Sequence, residues 1–173
     1  MSKPTTKDFI PLNLVVLTVS DTRTDDNDTS GDLLRSNAAE AGHNVLEKVI
    51  VKDDIYQIRA QVSKWIASDD VQVILTTGGT GFTSRDSTPE AVEPLFDKTI
   101  DGFGELFRYE SLSEIGTSTI QSRALAGLAN AKVIFCLPGS NNACQTAWNK
   151  IVGPQLDNRT RPCNFVPQVT AKH

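Results

Sequence analysis

Apolar residues along the chain recur in two rhythms that take turns. Short β-branched and apolar runs, LNLVVLTVS (12–20), NVLEKVIV (44–51), VQVILTT (71–77) and KVIFCL (132–137), read as strands. The first is apolar almost throughout, as a strand covered on both faces in a parallel sheet must be, so helices are expected on either side of it. Between the strands the spacing lengthens to that of helices. Leu33, Leu34, Ala38 and Ala41 form an inward stripe after a cap at Asp28 or Ser30, and Gly42 is placed to end the helix. Ile55, Ile58, Val62, Trp65 and Ile66 repeat the pattern over 54–69.

Thr88-Pro89-Glu90 has the hydroxyl, proline and acid of a helix start, predicting a helix over 89–97. Residues 102–116 put Phe103, Leu106, Phe107 and Leu112 on roughly one side, a stripe suited to core or subunit contact. The segment SRALAGLAN admits two readings, since its alanines suit a helix while the strand at 132–137 suits a hairpin turning at Asn130-Ala131; the hairpin is preferred. Residues 141–157 predict a last helix with Ala147, Trp148 and Ile151 inward, interrupted at Gly153-Pro154, and the tail after Arg159 reads as irregular. The alternation gives one α/β domain, residues 9–166, with flexible tails at 1–8 and 167–173.

Composition sharpens this little but excludes much. With 173 residues and 39% apolar side chains the chain can bury a core without disulfide or metal staples. Met1 to Asp8 is polar and the run 12–19 is too short to span a bilayer, so a cytoplasmic protein without membrane contact is expected. Cys136, Cys144 and Cys163 are odd in number without CxxC spacing, and His43 and His173 are far apart, which speaks against zinc and against a Ser-His-Asp triad. A net charge of -4 offers no general attraction to nucleic acid.

Ligands of open α/β sheets bind beyond the carboxyl ends of the strands. The residues just past each strand are therefore the candidates: Ser20-Asp21, Lys52-Asp53-Asp54, Thr76 to Asp86, and Pro138-Gly139-Ser140-Asn141. TTGGTGFTSRDSTPEA (76–91) could be a plain strand-to-helix turn or a phosphate cradle, and the stretch alone does not decide between them. The dinucleotide fingerprint fails because Ser84 stands where its last glycine belongs, and no lysine comes after Gly81 to make a P-loop. Glycines that free main-chain N–H groups, a nearby helix start and Arg85 are still the ingredients of an anion site. Asp86 beside an anion is repulsive unless a cation bridges them, which points to Mg²⁺ between carboxylates and phosphate, with Asp53 and Asp21 as candidates for the second acid.

Those stretches, with LTVSD, DTSGDLLR, STIQSRALAG and LPGSNNAC, closely resemble the molybdopterin-binding family of molybdenum cofactor biosynthesis, nearest its B-type branch. The resemblance implies a three-layer α/β/α sandwich on a mostly parallel sheet, associating as a homotrimer or hexamer and open to other proteins of the pathway. It implies molybdopterin as ligand and adenylylation by ATP and Mg²⁺, giving adenylyl-molybdopterin and pyrophosphate. Asp53 and Asp86 then fall on the catalytic and metal-holding positions. Ser20, Asp21, Ser30, Gly31, Thr76, Gly78, Gly79, Thr80, Gly81, Arg85, Thr88, Ser122, Arg123, Pro138, Gly139 and Ser140 fall on the substrate-binding positions. The chain departs from the adenylyltransferases of the family in its Pro-Gly-Ser turn and in Lys52 before Asp53, where a proline is usual. A non-catalytic molybdopterin-binding protein and a scaffold of the pathway stay open as alternatives.

Overall fold

The computed structural model describes residues 7–171. Six strands form one sheet: β1 (Asn13–Val19), β2 (Asn44–Val51), β3 (Val73–Thr77), β4 (Lys98–Thr99), β5 (Leu125–Ala129) and β6 (Lys132–Leu137). Their order is β2-β1-β3-β6-β5-β4. β2, β1, β3 and β6 run parallel, while β5 and β4 continue the sheet antiparallel. Because side chains alternate along a strand, Leu14 and Val16 of β1 enter one core and Val15, Leu17 and Val19 the other, all of them buried.

Helices cover both faces, which makes the sandwich three-layered. α1 (Thr29–Glu40), α4 (Asp101–Ile115), α5 (Asn141–Ala147) and α7 (Val166–Thr170) lie on one side; α2 (Ile55–Ile66) and α3 (Thr88–Val92) lie on the other. α1 starts at Asp28, whose carboxylate accepts from Gly31 N at 3.0 Å and from the Thr18 hydroxyl at 2.7 Å. Lys48 of β2 neutralises that buried acid at 3.1 Å and reaches Asp32 at 3.1 Å, so the cap also fixes the helix against the sheet. Burial disfavours charge on Lys48, but the hydrogen bonds to Asp28 and Asp32 outweigh it and hold the ammonium above its ordinary value.

Several expectations need correction. Ala41 is the C-cap of α1 and exposed, because the chain turns away at Gly42 with φ +97°. The helix expected over 89–97 ends at Val92 and tightens into a 3-10 turn at Glu93–Leu95, since the chain must reach β4, a two-residue strand held by β5. Leu106 and Leu112 of α4 are 43% and 49% exposed; the buried side of that helix is Phe103, Phe107 and Ser111.

The interruption in the last long helix falls at a π turn, Trp148–Val152, and helical backbone runs on through α6 (Gly153–Gln155). Residues after Arg159, expected to be irregular, include α7, whose Val166 and Val169 join the core, so the packed chain extends past residue 166. Residues 1–6 and 172–173, part of the expected tails, lie outside the described residues. The hairpin at Asn130-Ala131 is present, with φ +44° and +56° at its two central residues, the twist that suits a two-residue β turn. No helix among the described residues is long and apolar enough to cross a membrane.

Candidate functional site

The parallel half of the sheet brings three strand ends into one crowded place. Gly78 leaves β3 at φ +101°, and a Cβ there would sit 2.2 Å from the Val19 carbonyl oxygen of β1. Only glycine fits that approach. Gly78 N donates to Leu137 O at 3.0 Å, and a Cβ on Gly139 would lie 3.3 Å from Gly78 Cα, so the Pro138-Gly139-Ser140 turn packs directly on the glycine loop. Gly79 also has positive φ, +67°.

The loop's carbonyls are tied back into the protein. Gly78 O accepts from the Thr88 hydroxyl at 2.9 Å, Gly79 O from Thr88 N at 3.0 Å and Thr80 O from Arg123 N at 2.9 Å. Gly81 O accepts from Arg123 Nε at 2.8 Å, and Asp86 O from the same guanidinium at 3.0 Å. Arg123 is completed by an ion pair with Glu90, which holds the Glu90 carboxyl below its ordinary value, and by stacking 5.2 Å from the Phe82 ring centre. The N–H groups of Gly79 and Thr80 donate to no acceptor among the described residues. The loop thus keeps the N–H groups of Gly79 and Thr80 free and its carbonyls occupied, which is what an anion cradle requires.

A cavity of about 380 Å³ opens on this loop. Its floor is Gly78 to Gly81 with Asp86, its rim is Ser122 and Pro138 to Ser140, and its far wall comes from α4, the 3-10 turn after it (Gly116–Gln121) and α5. Asp86 is braced: Oδ2 accepts from Thr83 N at 2.8 Å and from the Thr83 hydroxyl at 2.6 Å. Partial burial alone would raise its pKa, yet the Thr83 bonds and the Gly81 main-chain donor outweigh burial and hold the carboxyl below its usual range. It is therefore ionised at neutral pH.

Asp53 sits on the other face of the loop. It is 8% exposed, accepts from Ser87 N at 3.0 Å and lies beside Gly79, but it does not line the cavity. Asp21 reaches across from β1, accepting Asp53 N at 3.2 Å and both ends of the Arg85 fork at 2.8 Å. The Arg85 guanidinium holds the Asp21 carboxyl below its usual value, and Asp21 in turn raises Arg85. Arg85 is thus committed to a brace between strand-end loops and not aimed at the cavity.

Of the residues expected at a ligand, Gly78, Gly79, Thr80, Gly81, Asp86, Ser122, Pro138, Gly139 and Ser140 meet around one space. Others do not reach it. Ser30 and Gly31 are buried in the first turn of α1, Thr76 is buried within β3, and Thr88 is spent on Gly78 O. Ser20 turns its hydroxyl to Thr22 N and Arg23 N, and Arg123 braces the loop from behind. Conversely, Phe107, Ser111, Glu114, Ser118, Gln121 and Asn142 line the cavity although none was singled out as a ligand residue. Ser118, Gln121 and Asn142 stand inside the stretches STIQSRALAG and LPGSNNAC, while Ser111 and Glu114 are marked only by the polar side of the 102–116 helix. Cys136 and Cys144 are inert: burial pushes their thiols up to about 12 and about 11.

The donor set fits a hard cation in part. Among the described residues no hydrogen bond reaches Asp86 Oδ1 or Asp53 Oδ2, and carboxylate oxygens suit Mg²⁺. Among the described residues no group of three or more His, Cys, Asp or Glu could hold a metal by itself. An ion here would depend on substrate phosphate and water for its remaining ligands.

Comparison with known proteins agrees with the geometry. The model of a family described as "Probable molybdopterin binding domain" matches residues 15–158. A relative from Escherichia coli K12, molybdenum cofactor biosynthesis protein B, is 60% identical, covering 98% of this chain and 99% of its own. A crystal structure of a molybdenum cofactor biosynthesis protein B superposes with a TM-score of 0.84 at 47% identity, over 87% of this chain and 94% of that one. The tungsten cofactor synthesizing protein MoaB from Pyrococcus furiosus does so with a TM-score of 0.75 at 37% identity, over 83% and 91%.

Proposed function

The chain belongs to the molybdopterin-binding family of molybdenum cofactor biosynthesis, and on that premise we propose that it binds molybdopterin in the cavity at the strand ends and adenylylates it with ATP and Mg²⁺. One observation carries the binding half: a glycine loop whose carbonyls are occupied and whose Gly79 and Thr80 N–H groups are not, on the floor of a 380 Å³ space. Those donors suit the terminal phosphate of the pterin. In the transfer, an oxygen of that phosphate attacks the α-phosphorus of ATP, the α–β bridging P–O bond breaks, and pyrophosphate leaves.

Such chemistry is mostly positioning and charge neutralisation. The loop holds the attacking phosphate through fixed main-chain donors, and Ser140 with the Pro138-Gly139 turn closes the pocket against it. Asp86, ionised and braced by Thr83, and Asp53 would be the residues to hold Mg²⁺, which would supply neutralisation of the phosphate charge. Among the described residues the lining has no Lys, Arg or His, so without the ion the loop's main-chain donors alone would offset the phosphate charge.

A second reading, molybdopterin binding without turnover, is favoured by the position of Asp53. It stands outside the cavity lining and is bonded to Ser87. One incubation separates the readings: the protein with molybdopterin, ATP and Mg²⁺, assayed for adenylyl-molybdopterin and for retained pterin. Product supports adenylyl transfer, retained pterin without product supports the binder, and the absence of both overturns the two readings together. Assembly as a homotrimer or hexamer belongs to the same proposal; sedimentation at micromolar concentration tests it.

A further inference from the structure

The helical wall of the cavity carries a carboxylate with no counter-ion among the described residues. Glu114, in the last turn of α4, lines the cavity. Its partners are neutral: Asn142 Nδ2 donates to Oε2 at 2.7 Å, and the Thr146 hydroxyl lies 2.9 Å from Oε1 and 3.0 Å from Oε2. One hydroxyl proton serves one oxygen at a time. These two donors therefore fill two of the roughly four acceptor positions of a carboxylate. They also fix its plane, because both come from α5 while the carboxylate comes from α4.

Local stability does not call for an acid here. A negative charge in the last turn of a helix meets the negative end of the helix dipole, an unfavourable placement. Asp86 already makes the lining negative, and Glu114 adds a second charge to a space that no basic side chain lines among the described residues. What a fixed, half-satisfied carboxylate on a cavity wall accepts best is a planar edge with two adjacent N–H donors. The 2-amino-4-oxo ring of a pterin has that edge, at N3–H and the 2-amino group. A phosphate, by contrast, is repelled from this wall toward the main-chain donors of the glycine loop.

We infer that Glu114 is the residue that selects the pterin ring, accepting hydrogen bonds from its N3–H and 2-amino edge while Asn142 and Thr146 hold the carboxylate in place. The inference rests on the reading of the cavity as a molybdopterin site. It sets the ligand's direction: ring against α4 and α5, phosphate against Gly78 to Gly81.

The test compares wild type with Glu114→Gln, each shown folded by circular dichroism, in titrations with molybdopterin, 6-hydroxymethylpterin and 6-hydroxymethyl-lumazine, which carries oxygen in place of the 2-amino group. Wild type should prefer the pterin over the lumazine by at least about 10-fold, and Glu114→Gln should lose that preference and weaken molybdopterin binding about 10- to 100-fold. Molybdopterin bound equally well by both proteins, or a pterin preference that survives in Glu114→Gln, overturns the inference and leaves the site reading intact. Wild type that holds no molybdopterin overturns the site reading itself, and this inference with it.

Discussion

Two carboxylates flank one glycine loop and differ in everything but distance from it. On the cavity face, Asp86 is held ionised by Thr83 and keeps one oxygen unengaged beside an open space. On the outer face, Asp53 is nearly buried and bonded to Ser87, while Asp21 and Arg85 tie the loops after β1, β2 and β3 together. The difference teaches a division of labour. On the proposed reading the cavity face would present donors and charge to a ligand, while the Asp21–Arg85 pair on the outer face holds the loop in place.

The largest effect that should sharpen this contrast is Asp86→Asn. It removes the charge facing the cavity without changing shape, and turnover should fall roughly 100-fold or more while the fold is retained. Adenylyl-molybdopterin formation, with a thermal melt beside it, is the check; near-normal turnover removes Asp86 from the mechanism. Next comes Gly78→Ala, which touches the strand crossing behind both faces. Positive φ and a Cβ 2.2 Å from Val19 O should cost about 2–4 kcal/mol in urea unfolding. A neutral result would show that the approach of β1 to β3 relaxes freely.

Arg85→Ala is expected to be milder, because the pair with Asp21 is exposed. Its loss should leave the urea midpoint almost unmoved, because water screens an exposed pair. It should slow turnover by less than about 10-fold, through slack in the loop rather than through lost contact with substrate. A loss as large as that of Asp86→Asn would break the contrast by placing Arg85 at the substrate. The smallest effect is acid sensitivity. Both Asp86 and Asp21 have lowered carboxyl pKa values, so their contribution to stability is complete above the ordinary aspartate value of about 3.9 and is lost as pH falls through the lowered folded values. Urea midpoints from about pH 5 down to about pH 3 should therefore fall less steeply in Asp86→Asn than in wild type. Asp21→Asn should differ less, since water screens its exposed pair.

Legibility in the sequence divides along the same line. β1, β2, β3, β6 and the helices around them were legible because a strand or helix buried on a known side leaves its period in the residues. The glycine loop and Asp86 were legible because strand ends in such sheets have a fixed use. The far wall was not. Ser111 and Glu114 lie on a helix whose pattern shows a polar side, and polarity alone does not distinguish a side facing water from one facing a cavity. Ser30, Gly31 and Thr76 failed for the opposite reason: they stand near strand-end motifs in sequence, but the cap at Asp28 and the pleat of β3 turn them into the protein. β4 escaped because two residues carry no period, and α7 because only its contacts with the core make it a helix.

The central claim, that ligand sits on the cavity face and the Asp21–Arg85 pair on the outer face is a brace, is tested most directly by one pair of titrations with molybdopterin. Ser118→Trp fills the cavity from an exposed position on its wall, and Arg85→Ala loosens only the brace. Affinity should drop at least about 10-fold in Ser118→Trp and change by less than about 3-fold in Arg85→Ala. Undiminished binding by Ser118→Trp, with a large loss in Arg85→Ala, would place the ligand on the outer face and contradict the account.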